Sequence, residues 1–130
     1  MFVTIGRVLL GLFFVVSALL KIKAGMDAGG VAGLAGYIGS RGLPQPQMLA
    51  YLVIAFELVA GVLIVIGFLT TPVALLLAVY CLLTAGMFHN FWAVPAEQVQ
   101  AQISVFLKNI GLAGAFLVLA GEGIRVRLNA

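Results

Sequence analysis

Gln47 to Leu69 reads QMLAYLVIAFELVAGVLIVIGFL, and the rest of the fold can be reasoned outward from it. A bilayer core about 30 Å thick needs roughly 20 mostly apolar residues in helical form. This stretch supplies them with one carboxylate, Glu57, near its centre. Pro44 and Pro46 stand just before it, where proline suits the start of a helix. No water is available in hydrocarbon to satisfy backbone polar groups, so the stretch must be a helix. A charge at that depth costs about 2.5–3.5 kcal/mol even on the gentler insertion scale. Glu57 therefore faces a protein interior, as part of a site or of a structural ion pair.

Three further stretches have the same character: about Val3 to Ile22, Pro72 to Phe91 and Gln100 to Ala120, the last closed by Gly121 and Gly123. Between the first two spans lies the glycine-rich Ala24–Leu43. There Val31, Leu34, Tyr37 and Ile38 recur at three- and four-residue spacing, the pattern of a short amphipathic helix at the membrane surface. Phe68-Leu69-Thr70-Thr71-Pro72 is short enough to join spans two and three as an antiparallel hairpin. The expected fold is all-α: an integral membrane four-helix bundle, one transmembrane domain over residues 1–130, with a short amphipathic segment between spans one and two. Gly6, Gly11, Gly61, Gly67, Gly86, Gly111 and Gly114 are read as close-packing positions, since lipid gives helices no hydrophobic reason to associate.

Composition agrees. Of 130 residues, 64% are hydrophobic and 8% charged, against about 25% charged in a soluble domain. The formal charge of +3 is too small and too dispersed for nucleic-acid binding and suits contact with anionic headgroups. The one cysteine, Cys81, excludes an internal disulfide and reads as a small hydrophobe. No basic residue precedes Arg7, and no clean small-x-small site follows the first apolar run, so that run is expected to be a retained helix and not a cleaved signal. Four spans put both termini on one side. Arg7, Arg125 and Arg127 there balance Lys21, Lys23 and Arg41 on the other, so charge bias leaves the orientation open.

Polar residues within the spans gather toward one face. With a rise of 1.5 Å per residue, Glu57 lies roughly 15 Å and Lys108 roughly 12 Å from the same membrane surface. His89, Asn90, Asn109 and Lys21 fall in that half, with Phe91 and Trp92 at interface level. Arg7, Phe14 and Lys21 are seven apart and share a helix face. A Glu57–Lys108 pair would neutralise two buried charges, and breaking such a pair costs about 3–5 kcal/mol. The same groups around an aromatic-lined cavity suit a quinone headgroup, with His89 or Lys108 donating a hydrogen bond and Glu57 relaying protons. One His and one Glu without cysteine at ligand spacing give no metal site. A lone histidine without Cys-x-x-Cys-His argues against haem. No phosphate-binding loop, nucleophile–base pair or dinucleotide fingerprint is present.

Several motifs together resemble the DoxX family of small four-helix membrane proteins. They are Gly6-Arg7-Val8-Leu9-Leu10-Gly11-Leu12-Phe13 with Ser17 and Lys21; Phe56-Glu57-Leu58-Val59-Ala60-Gly61 with Ile66-Gly67 and Thr70-Thr71-Pro72; Phe88-His89-Asn90-Phe91-Trp92; and Phe106-Leu107-Lys108-Asn109-Ile110 with Gly111 and Gly114. The resemblance implies a multi-pass protein of the bacterial inner membrane with cytoplasmic termini, and polar positions at Arg7, Glu57, His89, Lys108 and Asn109. Some members are associated with thiosulfate:quinone oxidoreductase and others with oxidative-stress complexes, while many have no assigned reaction. The resulting expectation is a membrane subunit of a redox system, not itself the catalyst, with a quinone as its lipophilic ligand and no covalently bound cofactor. Its partners would be the bilayer, a membrane or redox protein, and in one arrangement a second copy of itself. The alternative is a structural or chaperone-like module that docks a partner without catalysis; a lipid or small-molecule transporter ranks below both.

Overall fold

The computed structural model describes residues 1–27 and 31–130, of which 24–27 by their backbone alone. The described residues are helical and contain no strand. The helices are α1 (Phe2–Asp27), α2 (Val31–Ser40), α3 (Pro46–Ile66), α4 (Thr70–Phe88) and α5 (Ala96–Leu128), with a 3-10 turn at Phe91–Ala93. Four of them, α1, α3, α4 and α5, are long and apolar enough to cross a membrane; α2 is the shorter apolar helix between the first two. The chain divides into two compact units, Met1–Phe68 and Leu69–Ala130.

In the first unit α1 and α3 run antiparallel: Arg7 meets Ile64 and Val65, whereas Ser17 and Lys21 meet Glu57. The two backbones touch at Gly11 and Gly61. A Cβ on Gly11 would lie 2.8 Å from the Gly61 carbonyl oxygen, and one on Gly61 would lie 2.9 Å from the Gly11 carbonyl oxygen. Only hydrogen fits at both positions. Gly11 and Gly61 are where the close approach expected of the span glycines is seen within the first unit. A Cβ at Gly6, Gly86, Gly111 or Gly114 meets nothing within 4 Å, and Gly67 is a helix terminator. Glycine content alone does not say which face of a helix a position occupies.

The C-terminus of α3 is closed by backbone geometry. Gly67 takes the left-handed conformation at φ 78°. Its N–H and that of Phe68 return to the carbonyls of Leu63 and Ile64, the arrangement of a glycine-terminated helix. At the other end, Pro46 opens α3 without a side-chain cap.

α2 packs on α3 and α1. Its inward stripe is Ala35 and Ile38, fully buried, flanked by half-buried Val31 and Leu34. Tyr37, expected on that stripe, is exposed. Ala35 completes the i, i+3, i+4, i+7 stripe with Val31, Leu34 and Ile38, and Tyr37 is turned about 100° away from Ile38. Residues 28–30 of the expected surface segment lie outside the described part of the chain.

In the second unit α4 and α5 are antiparallel: Thr71 lies against Gly123 at one end, and His89 meets Gln102 at the other. α4 turns Val73, Ala74, Leu77, Ala78, Cys81 and Ala85 inward, and α5 turns Ala113, Phe116, Leu119 and Ala120 inward. Phe116 is the largest of these side chains and is fully buried. Cys81 is buried in this apolar seam, as its sequence context suggests. With 33 residues, α5 is about 50 Å long at 1.5 Å per residue, well beyond a hydrocarbon core of about 30 Å. It therefore projects from the bilayer at one or both ends.

Candidate functional site: polar groups within the spans

Glu57 is the one fully buried charged residue among the described residues, at 3% exposure. It sits about midway along α3, roughly 16 Å from Pro46 by helical rise. Its cation within the first unit comes from α1. The Lys21 Nζ donates to Glu57 Oε2 at 2.7 Å and to Ser17 Oγ at 2.7 Å, and the Ser17 hydroxyl donates to the same carboxylate oxygen at 3.1 Å. Lys21 is close to its own C-terminal end of the span, yet reaches a mid-span carboxylate. The reason is that helix side chains tilt toward the N-terminus, so the four-carbon stem carries the ammonium one turn back to Ser17. The sequence places Lys21 in the same half of the membrane as Glu57 but does not single it out as the partner, because Cα depth by itself does not show how far a four-carbon stem reaches. Ser17 is the residue that a charge-based reading overlooks. Its signal is the i, i+4 spacing from Lys21 on the stripe that also holds Phe14.

Arg7 turns inward. Its Nη1 donates to the carbonyl oxygens of Ile64 at 2.5 Å and Val65 at 2.6 Å, in the last turn of α3. Ile64 otherwise accepts only from the Gly67 N–H that closes the helix, carbonyls of a last helical turn lack the usual i+4 donors, and a cation there also opposes the negative end of the helix dipole. Gly67 permits the approach, because a Cβ on it would stand 2.8 Å from Arg7 Nη1. Arg7 and the Lys21–Ser17–Glu57 group are thus two polar ties between α1 and α3, with the Gly11–Gly61 contact between them.

The second unit carries the other polar positions. His89 follows the last residue of α4, and its N–H bonds back to the Ala85 carbonyl. Its Nδ1 lies 3.0 Å from Gln102 Oε1 on α5. With the amide oxygen turned to the ring, Nδ1 carries the hydrogen and donates it. Beside this pair stand three aromatic rings in mutual edge-to-face contact, Phe91, Trp92 and Phe106, with centroids 5.2–5.9 Å apart. Gln102, Phe106, Asn109, Ala113 and Phe116 recur at alternating four- and three-residue steps, one stripe of α5. Asn109 accordingly lies half-buried on the face turned to α4, and Lys108, one residue earlier and about 100° around the helix, is exposed. No group of three or more His, Cys, Asp or Glu side chains comes together among the described residues.

Comparison with known proteins gives the following. The DoxX family pattern matches residues 2–90. The chain is 35% identical over 119 residues to Inner membrane protein YphA of Escherichia coli (strain K12), covering 92% of this chain and 81% of that protein. It is 34% identical over 121 residues to Inner membrane protein YqjF of the same organism, covering 93% and 83%. No solved structure matches at a significant level.

Proposed function

The chain belongs to the DoxX family, and from that premise we propose that it is an inner-membrane protein that binds a quinone headgroup as the membrane subunit of a redox system, without itself being the catalyst. Its relatives carry the name of inner membrane proteins, and its own four long helices suit that location. The observation that carries the ligand assignment is the His89–Gln102 pair set beside Phe91, Trp92 and Phe106. A quinone is a flat ring with two carbonyl oxygens. It asks for aromatic faces or edges and for a few polar groups that fix its orientation. These side chains meet that demand: rings around the plane, and for the oxygens the N–H groups of the Gln102 carboxamide, whose own oxygen is held by His89 Nδ1. Asn109, one turn beyond Phe106 on the same stripe, adds a second carboxamide. When bound, the quinone supplies the electron-accepting chemistry; the chain's part is to hold the ring and the hydrogen bonds at its oxygens.

The test uses the protein's one tryptophan, Trp92, which is 63% exposed. A water-soluble short-chain quinone titrated into detergent-solubilised protein should quench Trp92 fluorescence saturably. His89→Gln should weaken the apparent affinity by about tenfold, the worth of one hydrogen bond of about 1.4 kcal/mol. Quenching that stays linear with quinone concentration, as for free tryptophan, refutes the reading.

A second reading is favoured by the first unit. Arg7, Lys21 and Glu57 are all engaged in ties between α1 and α3, which suits a structural module that docks a partner protein. Under it, variants of these three lower the amount of folded protein, and the quinone titration shows no saturation.

A further inference from the structure

We propose that Arg7 binds the phosphodiester of a membrane phospholipid through the Nε–Nη2 edge of its guanidinium, beside the end of α3. A guanidinium carries five N–H donors. Arg7 uses two of them, both on Nη1, for the carbonyls of Ile64 and Val65. The three on Nε and Nη2 have no partner among the described residues, and these atoms are not sealed inside the protein. The group is nevertheless held in place. It rests against Gly67, where a Cβ would stand 2.8 Å from Nη1, 3.0 Å from Cζ and 3.3 Å from Nη2. One end of the guanidinium is thus anchored on α3, and the edge beside it is presented with its direction fixed.

That edge is the one that takes two oxygens of a single anionic group. The chain shows as much at Arg125, whose Nε and Nη2 donate to the two carboxylate oxygens of Glu122 at 2.9 Å and 2.8 Å. Arg7 has no such carboxylate: Glu57 and Glu122 pair with Lys21 and Arg125, and among the described residues no acidic side chain meets Arg7. The position selects the source of the anion. Arg7 lies about 8 Å into α1 by helical rise, and both it and its carbonyl partners fall within apolar spans. Donors at that depth have little bulk water to turn to, and a long cationic side chain near a span end reaches the headgroup level. Val3, one turn before Arg7, and Ile66 and Phe68, on either side of Gly67, are apolar and exposed. Acyl chains cover such a rim, whereas a hydrated phosphate ion gains nothing from it. Every glycerophospholipid carries the same pair of oxygens, so the rest of the headgroup is not read.

The experiment is nitrogen–phosphorus dipolar recoupling by solid-state NMR. A variant with Arg41→Lys, Arg125→Lys and Arg127→Lys keeps Arg7 as its one arginine, and the arginine nitrogens are isotopically labelled. The protein is placed in bilayers of phosphatidylcholine and phosphatidylglycerol in phosphate-free buffer, so that lipid is the one source of phosphorus. The expected result is dephasing of Nε and of one Nη at a nitrogen–phosphorus distance of roughly 4 Å, a charge-assisted hydrogen bond plus a P–O bond, with the other Nη farther away. In a phosphorus-free detergent with millimolar inorganic phosphate the dephasing should be lost. No dephasing of Nε in the bilayer, closer approach to phosphorus of both Nη than of Nε, or equal dephasing by inorganic phosphate in detergent would each overturn the assignment. If circular dichroism shows the triple variant misfolded, the spectrum of the unaltered chain less that of Arg7→Lys isolates the same signal. The readout does not involve Trp92 or quinone, so its failure and that of the quinone reading are separable.

Discussion

Replacing Lys21 with methionine should destabilise the protein more than replacing Glu57 with glutamine, and the two changes together should cost less than their sum. Glu57 is 3% exposed, whereas the Lys21 side chain is 30% exposed. At 2.7 Å the bare attraction at an effective dielectric of 20 is about 6 kcal/mol, but the desolvation of both ions offsets most of that. The net value of the pair is therefore small, and the large effect lies in removing one member. Lys21→Met takes the ammonium from a buried carboxylate, a loss of about 4 kcal/mol. Glu57→Gln leaves an ammonium on a flexible stem that reorients toward its exposed side and an amide that still accepts from Ser17, so about 2 kcal/mol is expected. The double variant has no stranded charge and should lose about 3 kcal/mol instead of about 6, a coupling of about 3 kcal/mol. The assay is reversible unfolding in mixed micelles of mild detergent and rising dodecyl sulfate, followed by far-ultraviolet circular dichroism. Additive losses in the double variant, or a Lys21→Met protein as stable as the unaltered one, would refute the view that this pair is an internally compensated tie.

Three further outcomes are expected. Gly11→Ala or Gly61→Ala should cost about 1–3 kcal/mol, because the new methyl meets backbone atoms that have nowhere to go; the control Gly111→Ala, open on all sides, should be neutral or gain up to about 1 kcal/mol from helix propensity in the same micelle titration. Arg7→Met should cost about 2 kcal/mol by leaving the Ile64 and Val65 carbonyls without their donor, and hydrogen exchange should rise in the last turn of α3 while that of α5 is unchanged. Gln102→Leu should lower the share of His89 with its proton on Nδ1, read from the nitrogen shifts of the single labelled histidine; an unaltered spectrum would show that Gln102 does not set the tautomer.

The four long helices, their approximate bounds, the extra helix after the first and the family were all legible in the chain, because they depend on run length and apolar content. A stretch such as Gln47–Leu69 has no stable alternative to helix in a bilayer, whatever its neighbours are. The polar positions were legible for the same reason, since an ionisable residue in an apolar run stands out by cost alone. Their partners were not. Lys21 reaches Glu57 only because α1 and α3 cross at Gly11 and Gly61 and the lysine stem leans back one turn, and neither the crossing point nor the lean is a property of either segment alone. The chain alone leaves Arg7 free to reach headgroups or to turn to the interior. It turns inward because the end of α3 brings the carbonyls of Ile64 and Val65, at the negative end of the helix, within reach of its guanidinium. Gln102 does not stand out in the chain because a neutral amide near a helix start costs little, and only the pairing of α4 with α5 brings it to His89. Depth in a membrane is a one-dimensional quantity that a chain carries by itself, whereas azimuth around a helix acquires meaning only when a second helix packs against it.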